Sequence, residues 1–371
     1  MSQTATRTVR RVLAGTTVTG ADRRGGQLTL LGLGTAALLV SCLVAVGVGQ
    51  ADISVREVWT VVTDRSGLGF LQVSALGLGG TEISEIRANV VWQLRLPRAL
   101  TAAMVGGGLA LVGAVMQTLM RNPMADPYLL GISSGASLGA VSVIVAGVGG
   151  GMVAVSGGAF FGALGSFVLV LAIAQQGGAI RPDRVILAGV AIGAFFAACT
   201  AFVILWVADP QATQEAQFWL SGSLAAARFS SVTTVIWVLV PAVAICLGAS
   251  RQLNAFAFGA DAAASLGIEV NRIRWLLLVT CSLLTGVLVA VSGAIGFVGL
   301  LVPHAVRFLV GVDHRRLLPA AVVVGGLFLL WVDVAARTMF EPREMPVGII
   351  TAMVGVPVFI WQLRRRLGVT T

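Results

Sequence analysis

The stretch "RLPRALTAAMVGGGLALVGAVMQTLMRNPMADPYLLGISSGASLGA", residues 95–140, sets the reading of the whole chain. Two arginines, Arg95 and Arg98, flank Pro97 ahead of an apolar run over 99–119. About 20 consecutive apolar residues are what a helix needs to cross the hydrocarbon core of a bilayer. The run breaks at Asn122-Pro123 and Asp126-Pro127 and resumes near 128. Proline fixes its own φ and restricts the residue before it, so this double step predicts a stiff turn between two spans. "GISSGASLG" then places small residues at helical spacing, which suits closely packed helices; Ser133 and Ser134 could also line a path.

The pattern repeats along the chain. Apolar runs lie near 28–50, 99–119, 128–149, 152–176, 185–208, 231–249, 275–295, 297–311, 318–336 and 346–363, ten in all. Only 11% of the residues are charged, against about 25% in a soluble globular domain. The class expected is an all-α polytopic membrane protein. The first run is too long and lacks the small-residue cleavage pattern of a signal peptide, so it is expected to stay as a span.

Arginine placement decides between ten spans and nine, the alternative raised by the short eighth run. With ten, the basic tail 1–27 and the terminal Arg364, Arg365 and Arg366 share one side with every arginine-bearing connection between even and odd spans: Arg121, then Arg181 and Arg184, then Arg251, Arg272 and Arg274, then Arg315 and Arg316. Positive residues concentrate on the cytoplasmic side, so ten spans with both termini cytoplasmic is the expectation. The domain reading is a tail over 1–27, a single ten-helix domain over 28–366 and a short tail over 367–371. The net charge of +9 is read as this orientation bias and not as nucleic-acid binding. Facing outward, "SVREVWTVV" and "QEAQFWLSGSL" have the spacing of short interfacial helices.

Arg95, Arg98 and Arg337 then fall on the outer side, against the bias; the simplest account of each is snorkelling to the headgroups. Asp333 and Glu344 lie near the outer ends of their spans, and ionisable residues at mid-membrane depth are scarce, which argues against an ion-coupled carrier. There is no phosphate-cradling G-x-x-x-x-G-K-[ST], so any ATP-driven cycle needs a partner to hydrolyse the nucleotide. Two histidines and four cysteines inside apolar runs offer no metal or disulfide pattern. The inward segment "SRQLNAFAFGADAAASLGIEVNRIRW", residues 250–275, mixes apolar and charged residues around Gly259 and Gly267. Two short helices joined at glycine would give this pattern. Its apolar residues mark either a docking surface for another protein or packing against the chain's own bundle.

Together these segments, with "RVILAGVAIGAFF", "SGAIGFVGLLVPHAVRFLVGVDHRRLLP" and "MPVGIITAMVGVPVFIWQLRR", closely resemble the FecCD family of ATP-binding-cassette importer permeases from about residue 28 to 366. The resemblance implies a type II ABC importer permease fold of ten helices and a dimer around a central pathway, built from two copies or from a related second permease. It implies two ATPase subunits below, which carry ATP and magnesium, and an extracytoplasmic substrate-binding lipoprotein above. This chain would bind no cofactor and catalyse no covalent step. By position, Arg95, Arg98 and Arg337 would meet acidic residues of the binding protein. About 251–271 would form the coupling helices, with Arg251, Leu253, Asn254, Phe256, Phe258, Gly259, Ala264, Leu266 and Gly267 as the residues meeting the ATPase. Asn122, Pro123, Asp126, Pro127, Ser133 and Ser134 would support the cytoplasmic turn and the pathway, parts of 185–208 and 346–360 would line it, and an inner gate would lie around Gly177–Arg184. The cargo implied first is an iron–siderophore delivered into a bacterium across its cytoplasmic membrane, with haem or cobalamin the alternative. A secondary carrier or channel, and a non-transporting scaffold or sensor, are the other classes; transport without ATP, or none at all, would distinguish them.

Overall fold

The computed structural model describes residues 20–49, 53–67, 83–147, 151–176, 179–340 and 343–367. Most of the tail 1–27, residues 68–82 of the long first connection, the Gly177-Gly178 part of the expected gate and residues 368–371 lie outside the described residues. The described chain is helical apart from a two-residue antiparallel pair, Gln175–Gln176 with Ala179–Ile180.

The helices are α1 (Gly20–Gly47), α2 (Val55–Arg65), α3 (Glu85–Leu119), α4 (Ile132–Ala146), α5 (Met152–Ala174), α6 (Pro182–Trp206), α7 (Pro210–Leu220), α8 (Phe229–Gly248), α9 (Ser250–Phe256), α10 (Ala260–Ser265), α11 (Val270–Ser292), α12 (Val298–Val310), α13 (His314–Thr338) and α14 (Val347–Leu367). Seven of them, α1, α3, α5, α6, α8, α11 and α13, are long and apolar enough to cross a membrane; α4, α12 and the apolar part of α14 are shorter. These helices occupy the places of the apolar runs, and the chain is a multi-pass membrane protein.

α3 is the hub. Of its most apolar stretch 83% is buried, against 22% for α6 and 17% for α1. Glycine makes this centrality possible. A Cβ on Gly106 or Gly325 would run into the other's carbonyl, one on Gly107 would sit 2.8 Å from the Val322 carbonyl, and one on Gly113 would strike Gly299. α3 therefore packs backbone against backbone on α13 and α12, the close approach that small residues allow between membrane helices. α4 and α5 meet in the same way through Gly135, Gly139, Gly158 and Gly162.

The helix that carries "RLPR" begins well before the apolar run: α3 runs unbroken from Glu85, with one π-helical turn over Val90–Arg95 just before Pro97. Proline has no N–H and crowds the carbonyl one turn back. Widening that turn, with the Leu96 amide bonding the Val91 carbonyl, carries the helix past it. The two short helices expected outside the spans do form. α2 carries a capping box, with Ser54 Oγ accepting from the Glu57 amide (3.2 Å) and Glu57 accepting from the Ser54 amide (2.7 Å). α7 is capped by Asp209, which accepts from the Ala212 amide.

Candidate functional site

Two poles stand out, at opposite ends of the antiparallel pair α3 and α13. At the pole where α3 begins lie the three arginines read above as docking residues. Arg98 is buried, and its guanidinium grips Asp333, with Nη2 2.9 Å from Oδ1 and Nε 3.0 Å from the same oxygen. Its Nη1 donates to Glu344 Oε2 at 2.8 Å. Arg337, also buried, lies 3.8 Å from Asp333 Oδ2 and donates to the carbonyls of Val48 (2.8 Å) and Ala45. Arg95 donates to the carbonyls of Val46 (3.1 Å) and Gly47 (3.0 Å). The last carbonyls of a helix have no partner within it and carry its negative dipole end, so Arg95 and Arg337 act as C-terminal caps for α1. These arginines are therefore committed to the chain's own groups rather than projecting as free side chains. Arg95, Arg98, Arg337, Arg228 and Glu344 line a cavity of about 380 Å³ at this pole. Asp333 is completely buried beneath.

At the other pole lies the two-helix segment α9–α10, joined at Gly259 (φ 117°) and closed by Gly267 (φ 78°), positions that favour glycine. The sequence left two readings of its apolar residues open, and the structure divides them. Leu253 and Phe256 are buried against the bundle, while Phe258 and Leu266 are 81% and 73% exposed. Arg251 and Ala264 are exposed as well. Asn254 does neither: its Nδ2 donates to Asp313 Oδ1 (2.8 Å), and its Oδ1 accepts from the His314 amide (2.9 Å).

The turn 120–131 sits at this same pole. Asn122 Oδ1 accepts from the Met124 amide, and Asp126 Oδ1 accepts from the Tyr128 amide, capping the short helix Pro127–Leu130. Pro123 is exposed on the turn and Pro127 is buried in it. Burial pushes the Asp126 carboxyl up to about 6, with the bond from Tyr128 pulling the other way. Tyr128, the only tyrosine, donates its hydroxyl proton to the Ile295 carbonyl (2.9 Å) and accepts from the Ile295 amide (3.0 Å). Ser134 lines a cavity of about 280 Å³ with Asp126, Tyr128, Gly189 and Gly193. Ser133 is half-buried one residue away.

Sequence reading missed the partners. Asp333 and Glu344 were seen as outer-end residues but not as the counter-charges of Arg98. The Asn254–His314 contact crosses sixty residues, and nothing local announces it. Among the described residues no cluster of three or more histidine, cysteine or acidic side chains could hold a metal ion.

The profile of the FecCD transport family matches residues 37–365. The chain belongs to the FecCD transport family. It is 42% identical over 290 residues to the cobalamin import system permease protein BtuC of Halobacterium salinarum, covering 76% of each chain. It is 38% identical over 307 residues to the hemin transport system permease protein HmuU of Yersinia pestis, covering 81% of this chain and 90% of that one. Against the Fe(3+) dicitrate transport system permease protein FecC of Escherichia coli the identity is 37% over 281 residues, covering 75% of this chain and 83% of that one. In three dimensions this FecCD chain is similar to a transporter assigned to the metal-chelate type of ABC transporter and solved in an inward-facing conformation. That match has a TM-score of 0.78 at 28% identity and covers 91% of this chain and 99% of the other.

Proposed function

We propose that this FecCD chain is the membrane subunit of an ABC importer that passes a metal chelate inward, with an iron–siderophore as first cargo and haem or cobalamin as the alternative. Two partner ATPases would bind ATP and magnesium and do the hydrolysis. A binding lipoprotein would deliver the chelate, and a second permease, identical or related, would complete the pathway. The span count is ten, with α4, α12 and α14 crossing as short helices, and both termini face the cytoplasm of a bacterial cell. This puts the arginine pole outside and α9–α10 inside.

The observation that carries the reading is α9–α10. Two short helices stand on the arginine-rich side with Phe258 and Leu266 projecting away from the bundle. Large apolar side chains held out on a polar face mark a protein contact. The burial of Leu253 and Phe256 behind them makes the segment a firm platform. Phe258→Asp combined with Leu266→Asp is expected to abolish co-purification of the ATPase while leaving membrane insertion and melting temperature as they were. An ATPase that still co-purifies with this double variant would overturn the reading.

For the outer pole, the internal commitments of Arg98 and Arg337 support docking by a fixed positive basin rather than by mobile arms. Four guanidiniums line the cavity with a single carboxylate, Glu344. Such a field would steer an acidic partner and raise its encounter rate more than its affinity. The wide apolar face of α6, including Leu187, Phe195, Phe202 and Leu205, is more than half exposed and is the surface offered to the second permease and to the pathway between them.

A further inference from the structure

The contacts of Asn254 and His314 do more than hold a loop. Asn254 lies on α9, yet its carboxamide caps the first turn of α13 from outside that helix. Its oxygen accepts from the His314 amide, and its nitrogen donates to Asp313, which itself accepts from the Arg315 amide at 3.1 Å. The orientation of the amide is fixed by its neighbours, since only Nδ2 can face the Asp313 carboxylate and only Oδ1 can face the backbone N–H. The same Oδ1 lies 2.7 Å from His314 Nδ1, which must be the donor there. His314 Nε2 then faces Thr118 Oγ1, 2.7 Å away at the last turn of α3, whose single proton is shared between that nitrogen and the Ala114 carbonyl 3.0 Å away. His314 is buried, as is Leu253 on the face of α9 that packs inward. One polar chain thus joins α9, the start of α13 and the end of α3.

About 30 Å further along the same two helices, at 1.5 Å per residue, stands the Arg98–Asp333 pair. Between the two pins α3 and α13 interlock through Gly106, Gly107, Gly325 and Gly326, each of which lies directly against a backbone carbonyl of the other helix. A helix pair pinned at both ends and in backbone contact between them moves as one body, because sliding or rotation would drive carbonyls into Cα atoms.

We propose that Asn254 and His314 are positioning residues that latch α9 to the α3–α13 pair, so that movement imposed on α9–α10 reaches the arginine pole as a rigid displacement. This rests on reading α9–α10 as the segment that meets the ATPase. The latch links the nucleotide-driven end to the surface where the cargo is delivered, without any moving part in the membrane core.

The test uses the full chain in its complex with the ATPase, in vesicles, with a reporter Arg343→Cys at the exposed outer end. A membrane-impermeant maleimide reads the labelling rate before and after trapping with ATP and vanadate, expressed per trapped nucleotide. With the latch intact, trapping should change the rate severalfold. Asn254→Asp sets two carboxylates face to face and should erase the change. Asn254→Asp with Asp313→Asn re-creates the bond between the two side chains with donor and acceptor exchanged, giving up only the Arg315 amide's bond to position 313, and should restore most of it. Should Asn254→Asp prevent assembly, Thr118→Val removes one oxygen at nearly constant volume and should reduce the response. A full response in Asn254→Asp or Thr118→Val, or no recovery in the swapped pair, overturns the latch. Loss of the ATPase from the swapped pair also overturns it, and absence of the ATPase from the reporter parent would instead sink the reading of α9–α10 beneath it.

Discussion

At the scale of single residues, the arginine pole separates two kinds of charge. Asp333 is fully buried between Arg98 and Arg337, whereas the Glu344 side chain is 40% exposed. Removing one partner of a buried ion pair leaves an uncompensated charge and costs about 3–5 kcal/mol, while an exposed pair is worth about 0.2–1 kcal/mol. Asp333→Ala should therefore lower the melting temperature in detergent strongly, and Glu344→Gln should barely move it; equal shifts would contradict the geometry. Asp126 makes a pH prediction. Its carboxyl is raised from 3.8 to about 6, so the folded chain holds a proton that the unfolded chain has already lost in that window. The stabilising contribution is complete below the lower value and is lost as pH rises through the upper. Thermal stability should fall between pH 4 and pH 7 by an amount that Asp126→Asn abolishes, because asparagine still accepts from the Tyr128 amide. An unchanged slope in the variant would assign the pH dependence elsewhere.

Among elements, the decisive packing is glycine on backbone. A methyl group at Gly113 has the Gly299 backbone in its way, whereas Gly32 on α1 has nothing within 4 Å. Overpacking a tight interface costs about 1–3 kcal/mol, and more where backbone must move. Gly113→Ala should reduce the folded yield and melting temperature, and Gly32→Ala should not; tolerance of alanine at Gly113 would show that α3 and α12 separate more easily than their contact suggests. The short helices α2, α7, α9 and α10 were legible from the sequence because their signals are local: Ser54 with Glu57, Asp209 before Pro210, and the glycines at 259 and 267. The π-helical turn was not. Pro97 signals a helix start and an interruption equally well, and only the packing of residues 85–95 on α1 and α2 decides for continuity.

For the whole molecule, the sequence by itself determined the class, the positions of the apolar helices, the segments in which arginine accumulates and the resemblance to the FecCD family. Each of these is written in local composition and spacing, which a linear reading recovers. Which apolar helix is central had no such signature, since α3 is no more apolar than α6 yet 83% of its most apolar stretch is buried against 22% for α6. The fate of charged residues was likewise undecided in the sequence. Arg98, Arg337 and Asn254 look like surface groups in one dimension, because burying them is prohibitive without partners, and those partners lie 235, 292 and 60 positions away. Tertiary structure supplies the counter-charge, the orphan carbonyl and the capping amide. It thereby turns residues that looked available to other proteins into the pins that hold α1, α3, α9 and α13 together.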